Sequence, residues 1–143
     1  IAKIYENLTA LSTFHLNKNI EIADLDRAYV KFEANNQAFD LTFFQNDKGQ
    51  SLRLSYKNGV ICLDRSQSEQ TELMETFGSK RFCEIANLQT VEIFFDRSIV
   101  EIFFNHDEKA MTSRFFIENR KNTMTGSRPL DLMVGYLPVI RFI

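Results

Sequence analysis

A chain of 143 residues, 44% hydrophobic and 25% charged, has the size and balance of one globular domain with enough apolar content for a two-layer core. Seventeen basic against nineteen acidic residues leave a net charge of −2, which argues against a nucleic-acid partner, because such proteins carry a basic footprint. No apolar run is long enough to span a bilayer, and no membrane partner is expected. The opening residues, Ile1-Ala2-Lys3-Ile4-Tyr5-Glu6, have neither a signal peptide's apolar core nor a start methionine, as expected of a fragment of a longer protein.

Residues 8–14 fit no single pattern, but His15 to Ile22 alternates around a polar centre and turns there. Ala28, Val30, Phe32 and Ala34 share one side of a half-buried strand, with Tyr29, Lys31 and Glu33 on the other. Phe39, Leu41 and Phe43 continue the period of two until Asn46-Asp47-Lys48-Gly49, a turn signal, and Leu52, Leu54 and Tyr56 form the next apolar face. Asn58-Gly59 predicts a type I′ hairpin, since both central residues need positive φ; it sets Tyr56 against Ile61 and Leu54 against Leu63. From Arg65 to Lys80 the chain turns polar, a long surface connection anchored by Leu73, Met74 and Phe77.

The richest alternation runs from Thr90 to Phe116. With Arg97-Ser98 as a two-residue loop, Asp96 faces Ile99, and Val91, Ile93, Phe95, Val100, Ile102 and Phe104 make one apolar surface. A second loop over His106 to Lys109 would set Phe104 against Met111, Val100 against Phe115 and Glu101 against Arg114, giving a three-strand meander with a cross-strand ion pair. Glu118 to Asn122 reads as a charged loop. Leu130, Leu132 and Val134 alternate after Pro129, and Val139 to Ile143 reads as a terminal strand after Pro138. Asp-Arg-Ser occurs at 64–66 and at 96–98, but the flanks do not align, so turn chemistry rather than duplication explains the repeat. With no capped helical period anywhere, strands at intervals of roughly 8–12 residues point to an all-β, two-sheet antiparallel β-sandwich.

The residues that could carry chemistry have stronger structural readings. Glu92 and Glu101 alternate with core positions and should face outward, and Asp96 is a turn residue; a retaining glycosidase would need two carboxylates about 5–5.5 Å apart. Asn105-His106-Asp107-Glu108 reads as a solvated hairpin tip, and one imidazole there, like His15 elsewhere, makes a poor metal site. Cys62 and Cys83 sit in apolar strand patterns without Cys-x-x-Cys spacing, which predicts reduced, buried thiols and no bound metal. No cofactor-binding motif occurs: there is no nucleophile elbow and no Gly-rich phosphate loop. Trp is absent, leaving Tyr5, Tyr29 and Tyr136 as weak platforms for stacking a sugar.

The run FFDRSIVEIFFNHDEKAMTSRFF resembles the signature of the C-terminal β-sandwich of glycoside hydrolase family 32, the invertase and sucrose-6-phosphate hydrolase family. The resembling parts are the Asp96-Arg97-Ser98 turn, the strand Val100 to Phe104, Asn105, and Thr112 to Phe116. The pattern departs at Tyr136, where the family often has Trp. In that family catalysis resides in an N-terminal five-bladed propeller carrying Asn-Asp-Pro, Arg-Asp-Pro and Glu-Cys motifs. Pro129 follows Arg128, Pro138 follows Leu137, Cys62 follows Ile61 and Cys83 follows Phe82, so all three motifs are missing. The resemblance therefore implies one non-catalytic sandwich over residues 1–143, with 1–12 the remainder of a linker. Its partner would be the propeller of the same enzyme, with a homodimer contact as a further role, in the cytoplasm. The expected propeller-facing edge is an apolar patch at Tyr5, Leu8 and Leu11. The alternative is an independent carbohydrate-binding or lectin-like module.

Overall fold

The computed structural model describes residues 8–65, 80–106 and 108–136. The expected anchors Leu73, Met74 and Phe77, the terminal strand Val139 to Ile143, Tyr5 and Asp107 lie outside the described residues.

Twelve strands and one 3-10 turn make up the described chain: β1 (Thr9–Leu16), β2 (Asn19–Glu21), the turn Leu25–Arg27, β3 (Ala28–Glu33), β4 (Phe39–Phe43), β5 (Leu52–Lys57), β6 (Val60–Asp64), β7 (Lys80–Glu84), β8 (Thr90–Asp96), β9 (Ile99–Phe104), β10 (Lys109–Arg114), β11 (Thr123–Gly126) and β12 (Leu130–Tyr136). They form two six-stranded antiparallel sheets, ordered β1-β12-β3-β8-β9-β10 (sheet A) and β2-β11-β4-β5-β6-β7 (sheet B). The architecture is the β-sandwich that the alternating pattern predicts. The polar break after His15-Leu16 is a turn, and it also carries the chain from one sheet to the other, since β1 belongs to sheet A and β2 to sheet B.

Period-two patterning builds the core directly. In β4, Phe39, Leu41 and Phe43 are buried while Asp40 and Thr42 are half-exposed; in β12, Leu130, Leu132 and Val134 point inward. The inner faces meet through edge-to-face rings, with Phe32 against Phe39 at 5.2 Å and Phe43 against Phe95 at 5.3 Å. Asn58 (φ 53°) and Gly59 (φ 76°) hold the β5–β6 hairpin in the register their sequence dictates, Tyr56 opposite Ile61 and Leu54 opposite Leu63.

The β8–β9 hairpin also has the expected register, from Val91 opposite Phe104 to Asp96 opposite Ile99, with Arg97 at φ 57° in its turn. The next hairpin differs. Glu101 stands opposite Thr112 rather than Arg114, Met111 opposite Ile102, Ser113 opposite Val100, and Arg114 opposite Ile99. The turn begins one residue earlier than expected, because Asn105 leaves the strand with φ 51° and His106 follows at φ 53°. Asn tolerates that conformation better than most residues. The ladder therefore closes on Phe104 and Lys109, and the expected Glu101–Arg114 pair is replaced by a diagonal relation across the sheet.

Phe44 is the strained point of the core. It is fully buried at φ 61°, donates its N–H to Thr123 O at 3.0 Å, and packs on Phe95 (5.0 Å, edge-to-face) and Phe115 (5.4 Å, stacked). The Arg120 guanidinium caps the two stacked rings at 5.4 and 5.6 Å and pairs with Asp26 at 3.1 Å.

Candidate functional site

The outer face of sheet A gathers most residues singled out for chemistry. Glu92, Phe94 and Asp96 of β8 alternate with core residues and lie beside Tyr29, Lys31 and Glu33 of β3 and Ile99, Glu101 and Phe103 of β9. Asp96 and Glu101 are exposed, as their spacing implies. Glu92 is not: its side chain is 0% exposed, although it points away from the core. Tyr29, expected on the outer side of its strand, is buried too and donates its hydroxyl to Glu92 Oε2 at 2.9 Å. The reason is a second layer of apolar surface on this face. Tyr29 packs on Phe94 at 4.7 Å, Phe94 meets Phe103 at 5.8 Å, and Phe103 is the ladder partner of Glu92. His106 Nδ1 lies 3.6 Å from Glu92 Oε1 with its own ring largely in solvent.

Glu92 is enclosed, whereas Glu101 and Asp96 open to water in other rows of the ladder, opposite Phe94 and Ile99. A shallow depression of about 210 Å³ on the sheet, lined by Thr13, Lys31, Glu33, Asp131 and Met133, contains none of the three. His15 and Asp131 pair beside it at 2.7 Å, both well exposed. Among the described residues, no group of three or more His, Cys, Asp or Glu could hold a metal ion.

Asn105 has a structural role that explains its place in the sequence pattern. Its side-chain oxygen accepts the N–H groups of Gln89 (2.7 Å) and Thr90 (3.2 Å), and its amide donates to Asn87 O and Glu108 Oε2, each at 2.8 Å. Its own N–H bonds Thr90 O. The Asp96-Arg97-Ser98 turn is tied down similarly, with Arg97 N–H on Asp26 O and Ser98 O accepting Phe115 N–H. The earlier Asp64-Arg65 does not repeat this geometry: Arg65 is buried and reaches Arg114 O at 3.3 Å, while Arg97 is an exposed turn tip.

None of the described tyrosines forms an open sugar platform. Tyr29 is enclosed, and Tyr136 is half-buried with its hydroxyl bonded to Ala23 O; burial raises that phenol's pKa. Among the described residues the exposed aromatic is Phe82, 66% exposed on β7, a position that alternation alone cannot place because β7 lies at a sheet edge.

The cysteines are free but half-buried rather than buried. Cys83 is opposite Ile61 and packs on the core, whereas Cys62 alternates with Ile61 and Leu63 and faces out, so the two thiols are on opposite sides of sheet B. Both should titrate as thiols without reductant. Burial raises the Cys62 pKa, with the Asp64 charge adding to it. Less thiolate at neutral pH predicts that Cys62, followed by mass spectrometry in a Cys83→Ser variant, labels more slowly than a free thiol and accelerates as pH rises.

No helix among the described residues is long and apolar enough to cross a membrane. Residues 3–128 match the family model described as "Glycosyl hydrolases family 32 C terminal". The chain is 40% identical over 85 residues to a sucrose-6-phosphate hydrolase of Streptococcus mutans, covering 57% of this chain and 18% of that protein. A sucrose-6-phosphate hydrolase of Vibrio alginolyticus is 34% identical over 82 residues, with 57% and 17% covered. The matched stretches thus span less than a fifth of these relatives. In fold, the chain is similar to the sucrose-6-phosphate hydrolase of Lactobacillus gasseri (TM-score 0.77, 19% identity, 96% of this chain and 30% of that one). It is also similar to a β-fructofuranosidase of Bombyx mori (TM-score 0.71, 18% identity, 96% and 29%). The match over residues 3–128 and the two-sheet sandwich of the described residues agree with the Asp96-to-Phe116 signature: the chain belongs to the glycosyl hydrolase family 32 C-terminal domains.

Proposed function

We propose that this chain is the non-catalytic sandwich of a cytoplasmic β-fructofuranosidase, with sucrose 6-phosphate or sucrose as the parent's substrate, and that it stabilises the parent's catalytic propeller. The observation that carries the reading is the 40% identity to the Streptococcus mutans enzyme over a stretch that is only 18% of its length. The local geometry supports it. Asn105 and the Asp96-Arg97-Ser98 turn, which make the sequence signature, are committed to holding hairpins together, and Glu92 is enclosed by its neighbours. Leu11 and Met133, 53% and 42% exposed on the neighbouring strands β1 and β12, supply apolar surface for contact with a further domain. The free thiols on opposite faces of sheet B suit a reducing compartment.

The purified chain should hydrolyse neither sucrose nor sucrose 6-phosphate above a contaminant control, while deleting it from the parent should lower the parent's unfolding temperature. Turnover by the chain alone would overturn the non-catalytic role. A parent whose unfolding is unchanged by the deletion would overturn the stabilising one.

A further inference from the structure

We infer that β7 is a self-complementary dimer edge, through which two copies of this chain join their B sheets across a two-fold axis. This contact rests on the edge geometry and not on any sugar chemistry, so it and the proposed function can fail separately.

Among the described residues, β7 pairs with β6 on one side and with no strand on the other. All five of its residues retain solvent contact, Phe82 most conspicuously. The direction of its backbone groups follows from the ladder. Ile85 N–H bonds Gly59 O, and pairing continues as Ile61 opposite Cys83 and Leu63 opposite Arg81. In an antiparallel ladder the bonded pairs alternate, so Arg81, Cys83 and Ile85 spend their main-chain groups on β6. Lys80, Phe82 and Glu84 present theirs outward. One is engaged locally, Glu84 O with Lys109 Nζ at 2.5 Å, a contact that a second strand would share or displace.

The side chains select the occupant. Lys80-Arg81-Phe82-Cys83-Glu84 has Phe82 at its centre, with opposite charges two residues away on either side. An antiparallel copy centred on Phe82 places Phe82 beside its symmetry mate and each Lys80 opposite the other copy's Glu84. The outward N–H and C=O groups of all three residues then find partners. Opposite charges in direct cross-strand register are favourable, and an isologous contact must be complementary to itself. The other edges lack this property. β2 has three residues, and β1 is irregular between Thr9 and Ser12. β10 begins with Lys109 and ends with Arg114, so antiparallel self-pairing over its length would oppose like charges. Sheet edges invite pairing wherever they are left open, and here the charge pattern admits the chain's own copy.

Sedimentation equilibrium of the full chain should show a monomer–dimer equilibrium. Lys80→Glu or Glu84→Lys alone should weaken it by about tenfold or more, because each reversal turns two attractive pairs per dimer into repulsive ones. The double variant K80E/E84K should recover association, which a general loss of folding would not. Phe82→Pro, which removes the central edge N–H, should abolish it, with circular dichroism confirming that the sandwich remains folded. A chain that stays monomeric at millimolar concentration would overturn the inference, as would a dimer indifferent to both single reversals or a double reversal no tighter than either one.

Discussion

Phe44→Ala should lower the free energy of unfolding by about 3–5 kcal/mol, the range for removing a large buried ring from a packed core. Phe44 is fully buried and shares ring contacts with Phe43, Phe95 and Phe115, so its loss opens a void where both sheets and the Arg120–Asp26 pair converge. A comparison with Phe44→Gly separates packing from backbone strain. Glycine usually destabilises an ordered segment by roughly 0.5–1 kcal/mol relative to alanine, but at φ 61° alanine keeps the strain that glycine relieves. The glycine variant should therefore be at least as stable as the alanine variant by urea unfolding. A glycine variant clearly less stable would show that φ strain at position 44 contributes little.

Asn105→Ala should cost about 3–6 kcal/mol, although the residue is not fully buried. The substitution leaves the N–H groups of Gln89 and Thr90 without their acceptor, removes the donor to Asn87 O, and puts a β-carbon on a backbone at φ 51°. Each net hydrogen bond is worth about 0.5–1.5 kcal/mol, and left-handed backbone costs an alanine roughly 1–2 kcal/mol. Asn105→Gly should recover the second part only. Amide exchange gives an independent reading: the Gln89 and Thr90 amides should lose protection in both variants, while those of the β5–β6 hairpin do not change. Unchanged protection at Gln89 would mean that water replaces the asparagine oxygen without loss.

What the sequence could and could not reveal follows from the period of a strand. Alternation assigns faces, so the β8–β9 and β5–β6 hairpins, whose turns are written plainly as Arg97-Ser98 and Asn58-Gly59, were legible to the residue. A register displaced by two residues keeps every side chain on its face, so the same alternation is blind to the difference between Arg114 and Thr112 as the partner of Glu101. Only the backbone of Asn105 decides it, and that depends on bonds to Asn87 and Gln89 in the loop before β8 and to Thr90 at the start of β8. Burial on an outward face is equally nonlocal. Nothing near Glu92 in sequence announces that Tyr29, 63 residues away, will bond its carboxylate. The exposure of Phe82 likewise depends on the edge position of β7. The Asp96-Arg97-Ser98 part of the family signature was legible because it makes a two-residue hairpin turn, and such a turn is local.

The placement of β11 and β12 has a consequence for synthesis. β12 lies between β1 and β3, and β11 lies between β2 and β4, so in both sheets a later strand occupies the gap between two earlier ones. As the polypeptide leaves the ribosome, the β4–β7 meander can close from neighbouring segments and β3 can join the β8–β10 meander, but β1 and β2 must wait for residues 123–136. Until then each growing half-structure carries an open slot flanked by unpaired backbone, the condition in which nascent chains recruit chaperones or pair wrongly with one another. A premature stop before Thr123 would remove more than a tail: it would leave β1 and β2 detached from their own sheets.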